Sequence, residues 1–342
     1  MLLTPADERL SWLAPQPVDT SRAEARLDRF PHACQQLLAG QIGPLANLRS
    51  STGCGVQFAT DAAWIELRLD RLRHHQPFPQ GVALEVRQSD GGWLAVESPD
   101  LREREGAVRV RLNTGLVAGA LRTCSLWLPP ISTCAVAGVA LPDGCQIVRE
   151  PAPAPRWLAL GDSLTQGFST QSPLTTWVHR LMRHWDAPGW NLGVGGLLIE
   201  PAVFAWALAR QRWPLIAIAL GSNHCWRDST VATAAEACTT LVEAALAASD
   251  RVVWCLPPWK PMEDGKGPPE FMGIPLDRAT GARVGRIREA LRERLAAYPG
   301  VTVAEDLLPH DHRQFPDGLH PAALGFATYA EKLARIIPPP TQ

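Results

Sequence analysis

The sequence predicts two structural classes in one chain: an all-β half of jelly-roll or β-sandwich type, then an α/β half built on a doubly wound parallel sheet. Three observations carry this reading. The chain has 342 residues, more than one hydrophobic core usually serves. The run Pro151-Ala152-Pro153-Ala154-Pro155 forms a stiff, extended connector. The hydrophobic period changes across that connector, from strict alternation before it to strands interleaved with amphipathic helices after it. Residues 1–150 are therefore assigned to the β-sandwich and residues 151–342 to the α/β half.

The first forty residues are the least regular, with Ala23 to Leu38 expected to be partly helical and broken at Pro31. Alternating runs follow. Gly55 to Phe58 is one; in Ala63 to Asp70, Ile65, Leu67 and Leu69 share a face; Val82 to Val86, Val108 to Leu112, Ser125 to Leu128 and Ala135 to Leu141 continue the pattern. Asp90-Gly91-Gly92 and Pro142-Asp143-Gly144 mark turns between them. Many short strands without a strong helical stretch indicate two packed antiparallel sheets.

After the connector, Trp157 to Leu160 reads as a short buried strand. Trp177, Leu181 and Trp185 recur at helical spacing. The apolar run Leu215 to Leu220 suits a central parallel strand. An alanine-rich helix from Val231 to Ala248, a strand Val252 to Leu256, a helix from Arg283 to Ala297, a strand Val301 to Val303 and a last helix from about Ala322 complete the order. Strands alternating with helices imply a parallel sheet covered on both faces, with its site at the carboxyl ends of the strands.

The composition narrows the function classes. The formal net charge is -1, with 33 basic against 34 acidic residues, so the basic excess of a nucleic-acid-binding protein is missing. No membrane span and no secretory leader are read in the sequence, so a cytoplasmic location is expected. Eight cysteines contain no Cys-x-x-Cys pair and mostly sit in apolar runs, which points to buried reduced thiols rather than a zinc site.

Four short stretches carry chemistry. Gly161-Asp162-Ser163-Leu164-Thr165-Gln166-Gly167 follows the first parallel strand, where a serine meets backbone N–H groups able to hold an oxyanion. A helix cap at Asp162 or Ser163 would explain the same residues. Asp317-Gly318-Leu319-His320-Pro321 places a carboxylate three residues before an imidazole, so the two can meet in one turn. That pairing fixes the imidazole tautomer and frees its other nitrogen to take a serine proton; an exposed turn is the plainer reading. Asn191-Leu192-Gly193-Val194-Gly195-Gly196 and Gly221-Ser222-Asn223 each follow a strand, as βα turns do, and each offers N–H donors. Together the four supply a nucleophile, a base, its orienting acid and an oxyanion site.

In that combination the chain resembles the SGNH, or GDSL, hydrolase superfamily, over about the carboxyl-terminal 190 residues. The resemblance implies a flavodoxin-like doubly wound sheet and a serine nucleophile at Ser163, with His320 as base and Asp317 orienting it. It implies an oxyanion hole of the Ser163 N–H, the Gly196 N–H and the Asn223 side chain. It also implies no cofactor and no metal. One departure is His224, where the family often has aspartate after the asparagine; a supporting role is expected there. The amino-terminal half is similar to the β-sandwich that precedes the catalytic domain in carbohydrate-esterase and polyketide-tailoring members.

The implied activity is hydrolysis of a carboxylic ester through an acyl-enzyme, with a small-molecule partner such as a sugar or polyol bearing a small acyl group. Acyl transfer from the same intermediate is the near alternative. A catalytically dead carbohydrate-binding protein is the alternative from another class, and the complete set Ser163, Asp317 and His320 argues against it. Trp226 and Trp259 follow strands on the site's side and are candidate substrate contacts. Trp177, Trp185 and Trp206 are expected in the core. His310-Asp311-His312 is read as a polar loop rather than a metal site.

Overall fold

The computed structural model describes residues 1–340. The chain divides into two compact units, one comprising Met1–Pro31, Ala46–Ala154 and Thr170–Leu174, the other His32–Leu45, Pro155–Ser169 and the remainder from Thr175. Relative to a single cut after residue 150, two short pieces change sides. Residues 32–45 belong to the α/β unit, where the Cys34 Sγ–H donates to the Val203 carbonyl at 3.5 Å. Residues 170–174 belong to the antiparallel unit, where Gln171 Nε2 donates to the Ser98 carbonyl at 3.3 Å.

The antiparallel unit holds two sheets. One runs in the order Leu2–Leu3, Ser132–Ala140, Trp64–His74, Gly106–Asn113, with Ala25–Arg26 also paired to Ser132–Ala140. The other runs Ile147–Val148, Gly55–Thr60, Arg122–Trp127, Ala83–Arg87, Trp93–Glu97, with Ser11–Leu13 added on Gly55–Thr60. Ile65, Leu67 and Leu69 of the first sheet share one buried cluster with Phe58, Leu84 and Leu126 of the second. A register shift between Leu69 and Leu72 restores an inward side chain at Leu72, which strict alternation would turn outward. Arg29 is buried and donates to the carbonyls of Asn47 (2.7 Å) and Ser50 (2.9 Å) and to Ser50 Oγ (2.9 Å). It thereby closes the base of the excursion that carries residues 32–45 away.

The α/β unit is built on a five-stranded parallel sheet in the order Gly189–Gly193, Trp157–Gly161, Leu215–Ala219, Val252–Cys255, Val301–Ala304. In chain order this is 2-1-3-4-5, the flavodoxin-like arrangement, whose switch point lies beside the first strand. Trp157–Gly161, Leu215–Ala219 and Val252–Cys255 are buried throughout, which is why they read as unbroken apolar runs. Trp177 and Trp185 pack on Trp157 with ring centroids 6.1 and 5.3 Å apart, and Tyr329 meets Trp177 at 5.5 Å. Thr176 starts the helix Trp177–His184 by accepting the His179 N–H at 3.2 Å.

The expected helices appear as Asp228–Ala248, Arg278–Leu295 and Ala323–Ile336. Where partial helix was expected over Ala23 to Leu38, a two-residue strand Ala25–Arg26 precedes a helix His32–Leu37, so Pro31 divides the two. A helix Pro201–Leu208 and a hairpin of Glu270–Phe271 with Ile274–Pro275 add to the pattern. Trp206 is half-buried against Trp190 at 5.9 Å rather than enclosed in the core. The helix Asp228–Ala248 is long and apolar enough to cross a membrane by length and composition, but it buries Ala234, Cys238, Leu241, Val242 and Ala245 within its own unit. All eight cysteines are free thiols, seven of them buried.

Candidate active site

The first strand delivers the serine. Trp157–Gly161 ends in the sheet's carboxyl edge, and Asp162 caps a one-turn helix Ser163–Gln166 by accepting the Leu164 N–H at 3.1 Å. The cap expected on this stretch falls on Asp162, and Ser163 opens the helix behind it. Gly161 has to be glycine, because a Cβ there would stand 1.9 Å from Thr165 Oγ1.

The last loop delivers the imidazole. Asp317 Oδ1 accepts the backbone N–H groups of Leu319 (2.9 Å) and His320 (2.7 Å), folding the Asp-x-x-His stretch into a tight turn. Asp317 Oδ2 lies 2.7 Å from His320 Nδ1, and His320 Nε2 lies 2.8 Å from Ser163 Oγ. Burial pulls the Asp317 carboxyl upward, but the His320 charge and the hydrogen bonds outweigh it and hold the group at about 2. The Ser169 hydroxyl adds a further donor to Asp317 Oδ2 at 3.2 Å, from a backbone with φ of 67°. That strained non-glycine residue escaped the sequence reading, since nothing in its type or spacing marks it.

The loop after Gly189–Gly193 is tied to the serine's helix. Asn191 Nδ2 donates to the Thr165 carbonyl at 2.6 Å, and Gln166 Oε1 accepts the Gly195 N–H at 2.6 Å. Gly196 adopts a φ of 81°, in the left-handed region that suits glycine, and its open side faces the Pro44 ring at 3.5 Å. Asn223 Nδ2 donates to the Leu197 carbonyl at 3.1 Å, which brings this side chain beside Gly196. The three expected oxyanion donors thus come from the three turns that follow the first, second and third strands.

His224 takes a structural part. Its Nε2 accepts the Ile199 N–H at 3.0 Å and its Nδ1 donates to the Thr230 carbonyl at 2.6 Å. Burial pushes the imidazole below its ordinary value, and the neutral tautomer with Nδ1 protonated satisfies both bonds.

The two candidate tryptophans separate. Trp226 is half-buried and donates its indole N–H to Asn223 Oδ1 at 3.3 Å, so it acts on the asparagine. Trp259 is 7% exposed, stacks on His310 at 5.1 Å, meets Phe315 edge-on at 5.9 Å and packs in the apolar core. Two other aromatics flank the imidazole. The rings of Phe168 and Phe271 lie 5.1 and 5.5 Å from that of His320, Phe168 buried and Phe271 half-exposed on the hairpin. Hairpin residues near 270 carry no sequence signature of a site. Among the described residues no cluster of His, Cys, Asp and Glu could hold a metal ion, and Asp311 pairs with Arg313 at 2.8 Å.

The GDSL-like Lipase/Acylhydrolase family profile matches residues 159–327. No curated protein sequence matches the chain. The structure is similar to a putative GDSL-like lipase from Bacteroides ovatus, with 16% identity over 98% of this chain and 97% of that one and a TM-score of 0.75. It is similar to a salicylyl-acyltransferase from a tetracycline biosynthetic pathway, with 18% identity over 100% and 99% of the two chains and a TM-score of 0.73. It is also similar to an acetyl xylan esterase from the rumen bacterium Butyrivibrio proteoclasticus, with 10% identity over 98% and 97% and a TM-score of 0.59. At such identities the likeness is one of fold, and it runs the length of the chain. The four motif stretches at residues 161–167, 191–196, 221–223 and 317–320 sit on that fold, and residues 159–327 form a GDSL-like lipase/acylhydrolase domain of the SGNH hydrolase fold.

Proposed function

We propose that the protein is a serine esterase that cleaves a carboxylic ester through an acyl-enzyme on Ser163. The observation that carries this reading is the continuous relay from Asp317 Oδ2 to His320 Nδ1 at 2.7 Å and from His320 Nε2 to Ser163 Oγ at 2.8 Å. His320 takes the Ser163 proton as Oγ attacks the ester carbonyl, and the ionised Asp317 holds the tautomer and stabilises the imidazolium. The Ser163 N–H, the Gly196 N–H and the Asn223 amide receive the developing oxyanion. Imidazolium then protonates the departing alcohol. Water, activated by the same imidazole, resolves the acyl-serine. No step calls for a metal or a cofactor.

For the substrate we propose a small acyl group, such as acetyl, on a sugar or other polyol; the whole-chain likeness to an acetyl xylan esterase supports it. A second reading, transfer of the acyl group to an alcohol acceptor, is supported by the equally extensive likeness to a salicylyl-acyltransferase. The antiparallel unit is read as a separate jelly-roll-like domain, supported by its own buried core.

A fluorophosphonate probe tests the nucleophile: it should label the protein at Ser163 and leave Ser163→Ala unlabelled. Ser163→Ala should also lose at least about 10³-fold in kcat on p-nitrophenyl acetate with its fold intact. Near-normal turnover in that variant would falsify the assignment. Product analysis with and without an added alcohol separates hydrolysis from transfer.

A further inference from the structure

Ahead of the helix Arg278–Leu295 lies the small hairpin of Glu270–Phe271 and Ile274–Pro275. It is anchored on the turn that carries the base. A Cβ on Gly318, between Asp317 and His320, would stand 2.8 Å from Leu276 Cδ1 and 3.0 Å from Pro268 Cγ and Cδ, so the residues flanking the hairpin pack directly on that turn. The Leu276 N–H closes the base of the hairpin on the Pro269 carbonyl at 2.8 Å. Buried Lys260 holds the next residue of the turn, donating through Nζ to the Leu319 carbonyl.

Two features of this hairpin call for a role. The first is its apolar face. The register sets Phe271 opposite Ile274 and Glu270 opposite Pro275, and directly opposed residues share a face. The Phe271 ring lies edge-on to that of His320 at 5.5 Å, so the face with Phe271 and Ile274 is the one turned to the base. It runs from half-buried Phe271 to Ile274, which is 43% exposed. The second is the turn. Met272 and Gly273 form a two-residue loop with φ of 50° and 78°. Positive φ at both central positions belongs to a tight hairpin turn whose first position favours asparagine, aspartate or glycine. Met272 instead holds a left-handed backbone with an apolar side chain and is 58% exposed. The stability of the hairpin explains neither feature, since strain and exposed apolar surface both work against it.

We propose that Phe271, Met272 and Ile274 form an apolar rest for the alcohol part of the ester, and that the polyols taken carry an aryl or alkyl portion beside the ester oxygen, unlike a bare sugar. Such a role requires the acyl-enzyme chemistry proposed above. There the carbonyl oxygen goes to the donors of Gly196 and Asn223, while the alcohol oxygen takes the proton of His320 Nε2 as its bond to the acyl carbon breaks. That oxygen has to come within about 3 Å of Nε2, so the carbons it carries lie among the side chains bordering the imidazole. Phe271 borders it, and Met272 and Ile274 continue the apolar surface along the hairpin. An apolar ring or chain laid on them removes apolar area from water on both sides, whereas a sugar would set its hydroxyls against groups that cannot bond them. The flexible thioether of Met272 adapts to alcohols of differing shape.

Three esters of primary alcohols test this. 3-Phenylpropyl acetate carries the ring on the alcohol, ethyl 4-phenylbutanoate carries it on the acyl part, and 6-O-acetylglucose replaces the apolar alcohol by a sugar. Wild-type kcat/KM should be at least about threefold higher on 3-phenylpropyl acetate than on 6-O-acetylglucose, a ratio for which roughly 30 Å² of apolar contact suffices. Met272→Asn installs a residue the turn prefers, and Ile274→Thr keeps the branch at Cβ while removing the apolar end. Each should lower that ratio by about threefold or more. Met272→Asn should also melt at or above the wild-type temperature, a pairing of lost preference with retained stability that a purely structural methionine does not give.

A wild type that favours 6-O-acetylglucose, or variants whose ratio stays where it was, overturns the proposal and leaves the esterase reading standing. A loss that falls on ethyl 4-phenylbutanoate instead assigns the hairpin to the acyl side and overturns it equally. If Ser163 is labelled by the fluorophosphonate but none of the three esters turns over, the acyl-enzyme formed from p-nitrophenyl acetate is offered 3-phenylpropanol and glucose at equal concentration. Preferential capture by 3-phenylpropanol supports the role; capture by glucose, or by neither, overturns it. A wild type that resists labelling altogether removes the esterase reading and the alcohol rest with it.

Discussion

The indole N–H of Trp226 donates to Asn223 Oδ1 at 3.3 Å while Asn223 Nδ2 donates to the Leu197 carbonyl at 3.1 Å. The two bonds fix which end of the amide is the donor and leave one N–H of Nδ2 for an oxyanion. Asn223→Ala should therefore cost about 10²-fold in kcat with a smaller change in KM. Trp226→Phe keeps an aromatic ring, though a smaller one, and removes the donor; a loss of about threefold to tenfold in kcat is expected, and it should largely vanish in the Asn223→Ala background. Steady-state kinetics on the two single variants and the double variant check this. A change confined to KM would make Asn223 a binding residue.

Asp317 should govern how the rate depends on acid. With its carboxyl held at about 2, below the ordinary value of about 4, it stays ionised through the whole working range. Its contribution to stability is complete above the unfolded value and fades as pH falls from about 4 towards 2. The pH profile of activity should show no separate Asp317 limb above about pH 4. Asp317→Asn, measured at pH 7, should lose about 10³-fold or more in kcat because the tautomer is no longer imposed. Retention of most activity would show a Ser163–His320 dyad.

Ser169 gives the same carboxylate its outermost donor, from a left-handed backbone. Ser169→Gly relieves the backbone and deletes the hydroxyl, whereas Ser169→Ala deletes the hydroxyl alone. Thermal unfolding should rank glycine above alanine. Both variants should lose about the same, severalfold, in kcat; equal melting temperatures would deny that the strain is held for the hydrogen bond.

Phe271, on the half-exposed hairpin, sets its ring edge-on to that of His320 at 5.5 Å. Phe271→Ala should lower kcat/KM for esters of bulky alcohols by about threefold to tenfold, the scale of one aromatic contact, and spare small ones. A panel varying the alcohol at constant acetyl measures this; a uniform loss across the panel would assign Phe271 to the imidazole alone.

Arg29 concerns stability. Arg29→Met strips donors from the buried carbonyls of Asn47 and Ser50 and should cost about 3 kcal/mol. Denaturant titration reads it as a lower midpoint, and activity per folded molecule should hold.

Much of the α/β unit was legible because its strands are short, buried and punctuated by glycine, so Trp157–Gly161 and Leu215–Ala219 announce themselves. Ser163, Asp317 and His320 were legible as candidates because each stands in a short stretch of fixed spacing, after the first parallel strand or just before the last helix. The supporting residues were not. Ser169, Trp226 and Lys260 reach the site by contacts with no fixed sequence spacing, and a serine, a tryptophan or a lysine has many bland uses. The place of Trp259 after a strand likewise says nothing about which way its ring turns, and it packs against His310 and Phe315. The strand Trp93–Glu97 escaped because it is largely exposed, so its alternation is weak.

The chain's passage back and forth between its units has a genetic consequence. Residues 32–45 lie with the α/β unit although they are encoded ahead of most of the antiparallel one, and Pro44 is what the open side of Gly196 faces. A gene segment cut at the proline-rich connector would encode a hydrolase without that patch, and the excised upstream segment would keep an orphaned fourteen-residue loop whose base Arg29 still clasps. A cut at residue 151 would therefore part Pro44 from Gly196, whereas the two units expressed as one chain keep them together.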